Sequence, residues 1–265
     1  MNIADLTGGL GDGLHRVTGQ DGKRCVVKVR RRAPAGFFAA EARGLDALRA
    51  TGTLRVPEIH LVGDDIIAIE DLGSGQPQSS DWEHAGTALA RLHETSGASF
   101  GFDGDGWCGD TPQDNTPCSD GYRFFAEHRL QAQARLARDR GLIEASDAQR
   151  IDRLCDRLPQ WIPAAPAALI HGDLWTGNLH ACANGELALI DGGAVHYGWA
   201  EADLSMLILF GEPPSPFFGA YAASSATNAD WRERAPLYNL YHLLNHLNLF
   251  GSGYLGAVRA VLRRY

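Results

Sequence analysis

The run His171-Gly172-Asp173-Leu174-Trp175-Thr176-Gly177-Asn178 constrains this chain more than any other stretch. It follows the apolar segment Ala167-Ala168-Leu169-Ile170 and leads into two short β runs separated by Asn184-Gly185. Asn-Gly between apolar runs favours a type I′ hairpin turn, whose two central residues both take positive φ. The hairpin has Asn178 at one end and Asp191 at the other, so the two come close in space. A fold built on this segment must bring one amide and two carboxylates together. An amide and a carboxylate on one hairpin suit a hard cation such as Mg²⁺, and the second carboxylate, Asp173, suits an attacking hydroxyl. Phosphoryl transfer needs these residue types. His180 and Cys182 suggest zinc, but no further ligands lie at metal spacing.

The chain has 265 residues, 45% of them hydrophobic and 21% charged, enough for one large or two modest domains with real cores. Its net charge of −8 argues against broad binding to nucleic acid or to an anionic membrane. Nucleotide phosphates can still be met locally, by one lysine, backbone amides and Mg²⁺. The start, Met1-Asn2-Ile3-Ala4-Asp5-Leu6, has neither a basic nor an apolar signal region, and no apolar run approaches a membrane span. Five cysteines (Cys25, Cys108, Cys118, Cys155 and Cys182) form no C-x-x-C pair. An odd set of this kind argues against a disulfide framework and points to a reducing, cytoplasmic compartment.

Upstream, residues 6–29 read as strand, loop and strand. Gly9, Gly11 and Gly13 alternate in the loop, where glycine lets backbone approach phosphate oxygens. Asp21-Gly22 marks the following turn. Lys28 is the lysine within the β-branched run Arg24–Val29. A glycine loop alone can be a flexible hairpin, and a strand lysine alone is usually solvated. Both together, far upstream of H-x-D-x-x-x-x-N, are far more specific. Phe37, Phe38, Ala42, Leu45 and Leu48 repeat at helical spacing over 35–50, which places Glu41 to pair with Lys28. Asp64-Asp65 is a turn before the apolar strand Ile66–Ile69. Glu70-Asp71-Leu72 then reads as a hinge whose backbone, at Glu70 and Leu72, would meet an adenine edge. Gly73-Ser74-Gly75-Gln76-Pro77 is the linker, which divides the chain into 1–72, an ATP-gripping lobe, and 73–265, a catalytic and substrate-binding lobe.

Ser80-Asp81-Trp82-Glu83 and Ser146-Asp147-Ala148-Gln149 have the form of capping boxes opening two helices. His93 closes the first helix's apolar stripe and reads as a packed histidine. Residues 97–120, rich in Gly, Asp, Asn and Pro, form a long loop suited to a substrate wall, and 121–140 read as a helix. Asp191 is followed by Gly192-Gly193-Ala194, and Glu201-Ala202-Asp203-Leu204 opens a helix soon after. That leaves no room for the activation segment with which a protein kinase builds its peptide site. The acceptor is therefore a small molecule or a side-chain adduct. Asp203 reads as a helix cap that steadies the catalytic loop. In the last helix, from about Trp231 to Phe250, the polar residues His246 and Asn248 are either substrate contacts or buried structural hydrogen bonds.

The catalytic run has the spacing of the H-R-D-x-x-x-x-N loop of protein kinases, with Gly172 in place of arginine. With Tyr197-Gly198, Glu201-Ala202-Asp203-Leu204, Leu209-Phe210-Gly211 and Tyr241-His242-Leu243-Leu244-Asn245-His246-Leu247-Asn248-Leu249-Phe250-Gly251, the chain strongly resembles the fructosamine/ketosamine-3-kinase family, within the aminoglycoside-phosphotransferase-like kinase folds. The resemblance implies an α+β bilobal fold, with a small antiparallel sheet and one helix ahead of a larger, mainly helical lobe. It also implies phosphorylation by MgATP of the 3-hydroxyl of ketosamines, free or on lysine side chains, to a phosphate that falls apart and frees the amine. On that reading Asp173 is the base and Trp175, His246 and Asn248 meet substrate. Asn178 and Asp191 hold Mg²⁺, while Lys28, positioned by Glu41, holds the phosphates. The chain departs from the family in having Gly192-Gly193 where Pro-Ala is usual, and in its N-terminal glycine loop. Two other readings share these residues: a kinase for another sugar, amino alcohol or aminoglycoside, and a non-catalytic kinase-like binding protein.

Overall fold

A computed structural model describes residues 11–19, 22–225, 227 and 230–265. Gly9 and Asp21 lie outside the described residues. Strands β1 (Gly13–Thr18) and β2 (Arg24–Val29) form the expected hairpin, with Leu14 opposite Lys28. β2 continues onto β4 (Ile66–Glu70), and β4 onto β3 (Ile59–Gly63), giving an antiparallel sheet in the order β1-β2-β4-β3. The apolar run of β4 is buried on both faces: α1 (Phe37–Ala50) covers Ile67 and Ile69, and Ile66 and Ala68 pack with Cys25, Val27 and Val29. Phe38, Leu45 and Leu48 of α1 share a core with Ile67 and Ile69 of the sheet and with Leu169, Leu174 and Leu189 around the catalytic run.

The larger lobe is mainly helical, so the chain is an α+β protein of two lobes. α2 (Ser79–His93) packs closely on α7 (Ser215–Ser224): a Cβ on Gly86 would meet the Phe217 carbonyl oxygen at 2.1 Å. The long α8 (Trp231–Phe250) is buried along most of its length and carries the main core of this lobe. Its end at Gly251 (φ 88°) leads to α9 (Leu255–Arg264). Among the described residues, no helix is long and apolar enough to cross a membrane.

Three local expectations need correction. Both capping boxes begin earlier than the serines suggest. The first pairs Gln78 with Asp81, whose Oδ2 accepts the Gln78 N–H at 2.7 Å. The second pairs Glu144 with Asp147 ahead of α5 (Ala145–Cys155). A side-chain carbonyl or carboxylate can cap in the same geometry as a hydroxyl, so a search for serine misplaces the boundary. The long loop holds a hairpin of its own, β5 (Gly106–Cys108) with β6 (Thr111–Gln113). The helix expected over 121–140 is interrupted. α3 (Gly121–Phe125) and α4 (Gln131–Asp139) are joined by a π turn at Ala126–Leu130. That turn buries Arg129, which donates to Asp114 O and Asn115 Oδ1 at 2.7 Å and lies 4.5 Å from the centre of the Phe124 ring. Its charged hydrogen bonds offset the desolvation of the guanidinium.

Candidate active site

β7 (Ala168–Ile170) pairs with β10 (His196–Gly198) and delivers the catalytic run between the lobes. Asp203, inside α6 (Ala200–Leu207), accepts the backbone N–H groups of His171 at 2.7 Å and of Gly172 at 2.9 Å. It steadies the loop, as expected, but from within the helix; the N-cap is Trp199. Burial would raise its carboxyl, yet His93, His171 and the loop amide outweigh that and hold it below the ordinary range. His93, buried against Asp203 (3.3 Å) and Tyr221 (2.8 Å), is the packed residue the sequence suggested. Gly172 has φ 79°, and a Cβ there would lie 2.2 Å from the Ala194 carbonyl oxygen. An arginine cannot take that place.

A 3₁₀ turn at Thr176–Asn178 leads into β8 (Leu179–Ala181), which pairs with β9 (Leu187–Leu189) through the Asn184-Gly185 turn. Asn178 Nδ2 donates to the Asp173 carbonyl at 2.8 Å, which fixes the amide and leaves its oxygen outside that bond. Past β9, Asp191 adopts a left-handed conformation (φ 68°, ψ 68°), unusual for a residue other than glycine. Its carboxylate lies 3.4 Å from Lys28 Nζ, and Lys28 lies 2.5 Å from Glu41 Oε1. Burial alone would lower the Lys28 ammonium, but Asp191 and Glu41 outweigh it and raise it. Glu41 is buried, which raises its carboxyl against the pull of Lys28.

Asp173 faces this trio across a cleft lined also by Phe37, Trp107 and Asp110. Burial pushes its carboxyl up to about 6, with Asp191 and Asp203 adding to the rise and His171 opposing it. Trp107 and Asp110 come from the β5–β6 hairpin, so the long loop does form a wall of the cleft. The composition of 97–120 marked the region but singled out neither residue. His242, not assigned a role from sequence, brings Nδ1 to 3.7 Å from Asp173 Oδ1.

The remaining candidates sit further out. The Trp175 indole lies over Gly177 and is 42% exposed. The His246 ring packs against Phe210, Phe250 and Tyr254, with centroids 4.8 to 5.3 Å away. Asn248 is buried and donates to Gln133 O and Oε1 at 3.0 and 2.8 Å, while its Oδ1 has no hydrogen-bond partner among the described residues. The Glu70 side chain is committed to an ion pair with Arg55 and accepts the Glu58 N–H, and the Glu70 N–H donates to the Glu58 carbonyl at 2.8 Å. The Leu72 carbonyl accepts the Ala183 N–H at 2.9 Å. In the glycine loop, Gly13 has φ 128°, and the Gly11 carbonyl contacts His15 Nε2 at 2.8 Å.

A family model described as fructosamine kinase matches residues 2–265. A Synechocystis sp. protein named "Probable ketoamine kinase" is 39% identical over 248 residues, which are 91% of this chain and 83% of the relative. The chloroplastic protein-ribulosamine 3-kinase of Arabidopsis thaliana is 36% identical over 248 residues, covering 90% and 75% of the two chains. A crystal structure of a fructosamine-3-kinase candidate from Thermobifida fusca superposes with a TM-score of 0.86 at 38% identity, covering 94% of this chain and 88% of that one. The streptomycin–ATP ternary complex of APH(2″)-IIa shares the fold at a TM-score of 0.63 and 12% identity, over 100% of this chain and 97% of that one.

Proposed function

Because the chain belongs to the fructosamine kinase family, we propose that it transfers the γ-phosphoryl group of ATP to the 3-hydroxyl of ketosamines. The observation that carries this reading is the Lys28–Glu41–Asp191 set standing across one cleft from Asp173. Lys28, held by Glu41, meets the α/β-phosphates. The hinge that runs through Glu70 and Leu72 borders the adenine, with the Glu70 N–H and the Leu72 carbonyl already engaged within the protein, and the loop that carries Gly11 and Gly13 closes over the phosphates. Asp173 accepts a hydrogen bond from the 3-hydroxyl and takes its proton late, because the transition state is loose. Positioning and charge neutralisation therefore supply most of the rate.

The donor set fits Mg²⁺. Asn178 has its N–H committed to Asp173, which leaves an amide oxygen, and Asp191 is a half-exposed carboxylate; hard oxygen donors suit this ion. When bound there, Mg²⁺ supplies positive charge against the transferring phosphate. Trp175 and His246 offer aromatic surface to the sugar and its amine. The 3-phosphate product then breaks down and releases the amine. Acceptors are free ketosamines or glycated lysine side chains, and the odd cysteine count supports a cytoplasmic setting. Measuring ATP consumption with ketosamines of differing sugar and amine, beside amino alcohols and aminoglycosides, tests the assignment. Turnover on ketosamines is the expected result. Turnover confined to the other acceptors, or MgATP binding without turnover, overturns it.

A further inference from the structure

His242 lies in the middle of α8 and is buried, at 5% exposure. Its Nδ1 has no hydrogen-bond partner among the described residues, and the nearest charged oxygen is Asp173 Oδ1 at 3.7 Å. A buried ring nitrogen without a partner is costly enough to need a reason. Its neighbours are already engaged. The Tyr241 hydroxyl donates to Gln113 Oε1 at 2.9 Å. Asn245 Nδ2 donates to Cys108 O at 3.1 Å and Cys108 Sγ at 3.2 Å. Cys108, Asp173 and His242 bring their ligand atoms within 4.8 Å of one another. The Cys108 thiol, however, is driven up by burial and already accepts the Asn245 amide, so the thiolate that a soft metal needs is disfavoured.

We infer that His242 is a positioning residue for Asp173: as its Nδ1–H tautomer it donates to Oδ1, fixing the carboxylate's rotation and leaving Oδ2 for the sugar hydroxyl. The inference rests on Asp173 being the base. Catalytic hydrogen bonds that are long without substrate tighten in the working complex. The charged and titratable groups that face the ring are Asp173 on the loop, Cys108 on β5, Asp203 on α6, Arg129 in the π turn, His196 on β10, and Tyr241 and His246 on α8. Burial, then His246 and Arg129, hold the imidazole down to about 3 against the opposing pull of Asp203. At neutral pH His242 is therefore an uncharged donor and no rival base.

The test uses His242→Leu and His242→Asn, with Asp173→Asn as control, assayed on a ketosamine with MgATP at neutral pH. His242→Leu is expected to lower kcat about 10- to 100-fold while leaving the KM for ATP within about twofold, the loss typical of a hydrogen bond to a charged group. His242→Asn, which keeps an N–H donor, should recover part of kcat. In the wild-type protein, imidazole ¹⁵N shifts should show Nδ1 protonated and should move on Asp173→Asn. A folded His242→Leu enzyme with wild-type kcat, or an Nε2–H tautomer indifferent to Asp173→Asn, overturns the inference. Full turnover in Asp173→Asn would instead overturn the base assignment beneath it.

Discussion

The carbonyl oxygen of Gly192 lies 1.9 Å from where a Cβ on Gly44 would be. A Cβ on Gly192 would in turn meet the Leu45 amide at 2.6 Å and the Glu41 carbonyl oxygen at 2.9 Å. Helix α1 therefore presses directly on the segment after Asp191, and the glycine at 192 is what the contact requires. Gly44→Ala must push this segment away. It should cost about 1–3 kcal/mol, as overpacking does, and raise the KM for ATP, because Glu41 and Asp191 flank the contact. Urea denaturation and steady-state kinetics check both; unchanged stability would mean that the segment yields freely.

Lys28 is held from two sides by carboxylates. Lys28→Met should lower kcat/KM about 10²–10³-fold, the loss typical of one electrostatic contact to the transition state. Glu41→Gln should cost less, because Asp191 still faces the ammonium. A thermal-shift titration with MgATP should show weakened binding for Lys28→Met and a smaller change for Glu41→Gln.

Asp173 is pushed up to about 6 in the fold, against about 3.9 for an unfolded aspartate. Its folded pKa is the higher, so the native state binds the proton more tightly between these values. Stability is greatest at low pH on this account and falls as pH rises through 6. Asp173→Asn should therefore gain roughly 1–3 kcal/mol near pH 7.5, with the gain vanishing near pH 4. Turnover should drop about 10²–10⁴-fold while ATP binding persists. Chemical denaturation at the two pH values reads the first effect, and near-wild-type turnover would remove Asp173 from the base's role.

Asp203→Ala leaves the N–H groups of His171 and Gly172 buried without a partner. The expected loss is about 2–4 kcal/mol, the penalty for two unmet donors. Asp203→Asn should lose less, since one acceptor oxygen remains. Turnover should fall in both, with the KM for ATP changed little. Denaturant midpoints for the pair separate this anchoring from a role in nucleotide binding.

Residues whose chemistry is local were readable from the chain. Lys28 and Glu41 follow from strand and helix periodicity, and Asn178 and Asp191 from the Asn-Gly turn that closes their hairpin. Asp203 was assigned the right partner by the wrong device, because a carboxylate in the body of a helix gives no capping pattern. His242, Trp107 and Asp110 reach the site only through tertiary packing. A histidine on an apolar helix and a tryptophan in a polar loop carry no periodic signal of direction. The π turn was hidden for a similar reason: burial of Arg129 sets it, and no spacing in 121–140 does.

The β8–β9 hairpin is laced to the small lobe by main-chain hydrogen bonds, from Leu189 N to Arg55 O at 2.8 Å and Ala183 N to Leu72 O at 2.9 Å, and to the linker by Gly75 N to Ala181 O at 3.2 Å. A hinge motion at 73–77 would therefore carry β8 and β9 with the four-stranded sheet, as one mechanical piece. Asn178 and Asp191 would travel with Lys28, while Asp203 and His242 would stay behind on the helices. The joint of such a motion would run beside Asp173, through the few residues between the Asp203 anchor and the hairpin. A break in the polypeptide at the linker would leave the two fragments still associated, held by backbone pairing that does not depend on chain continuity.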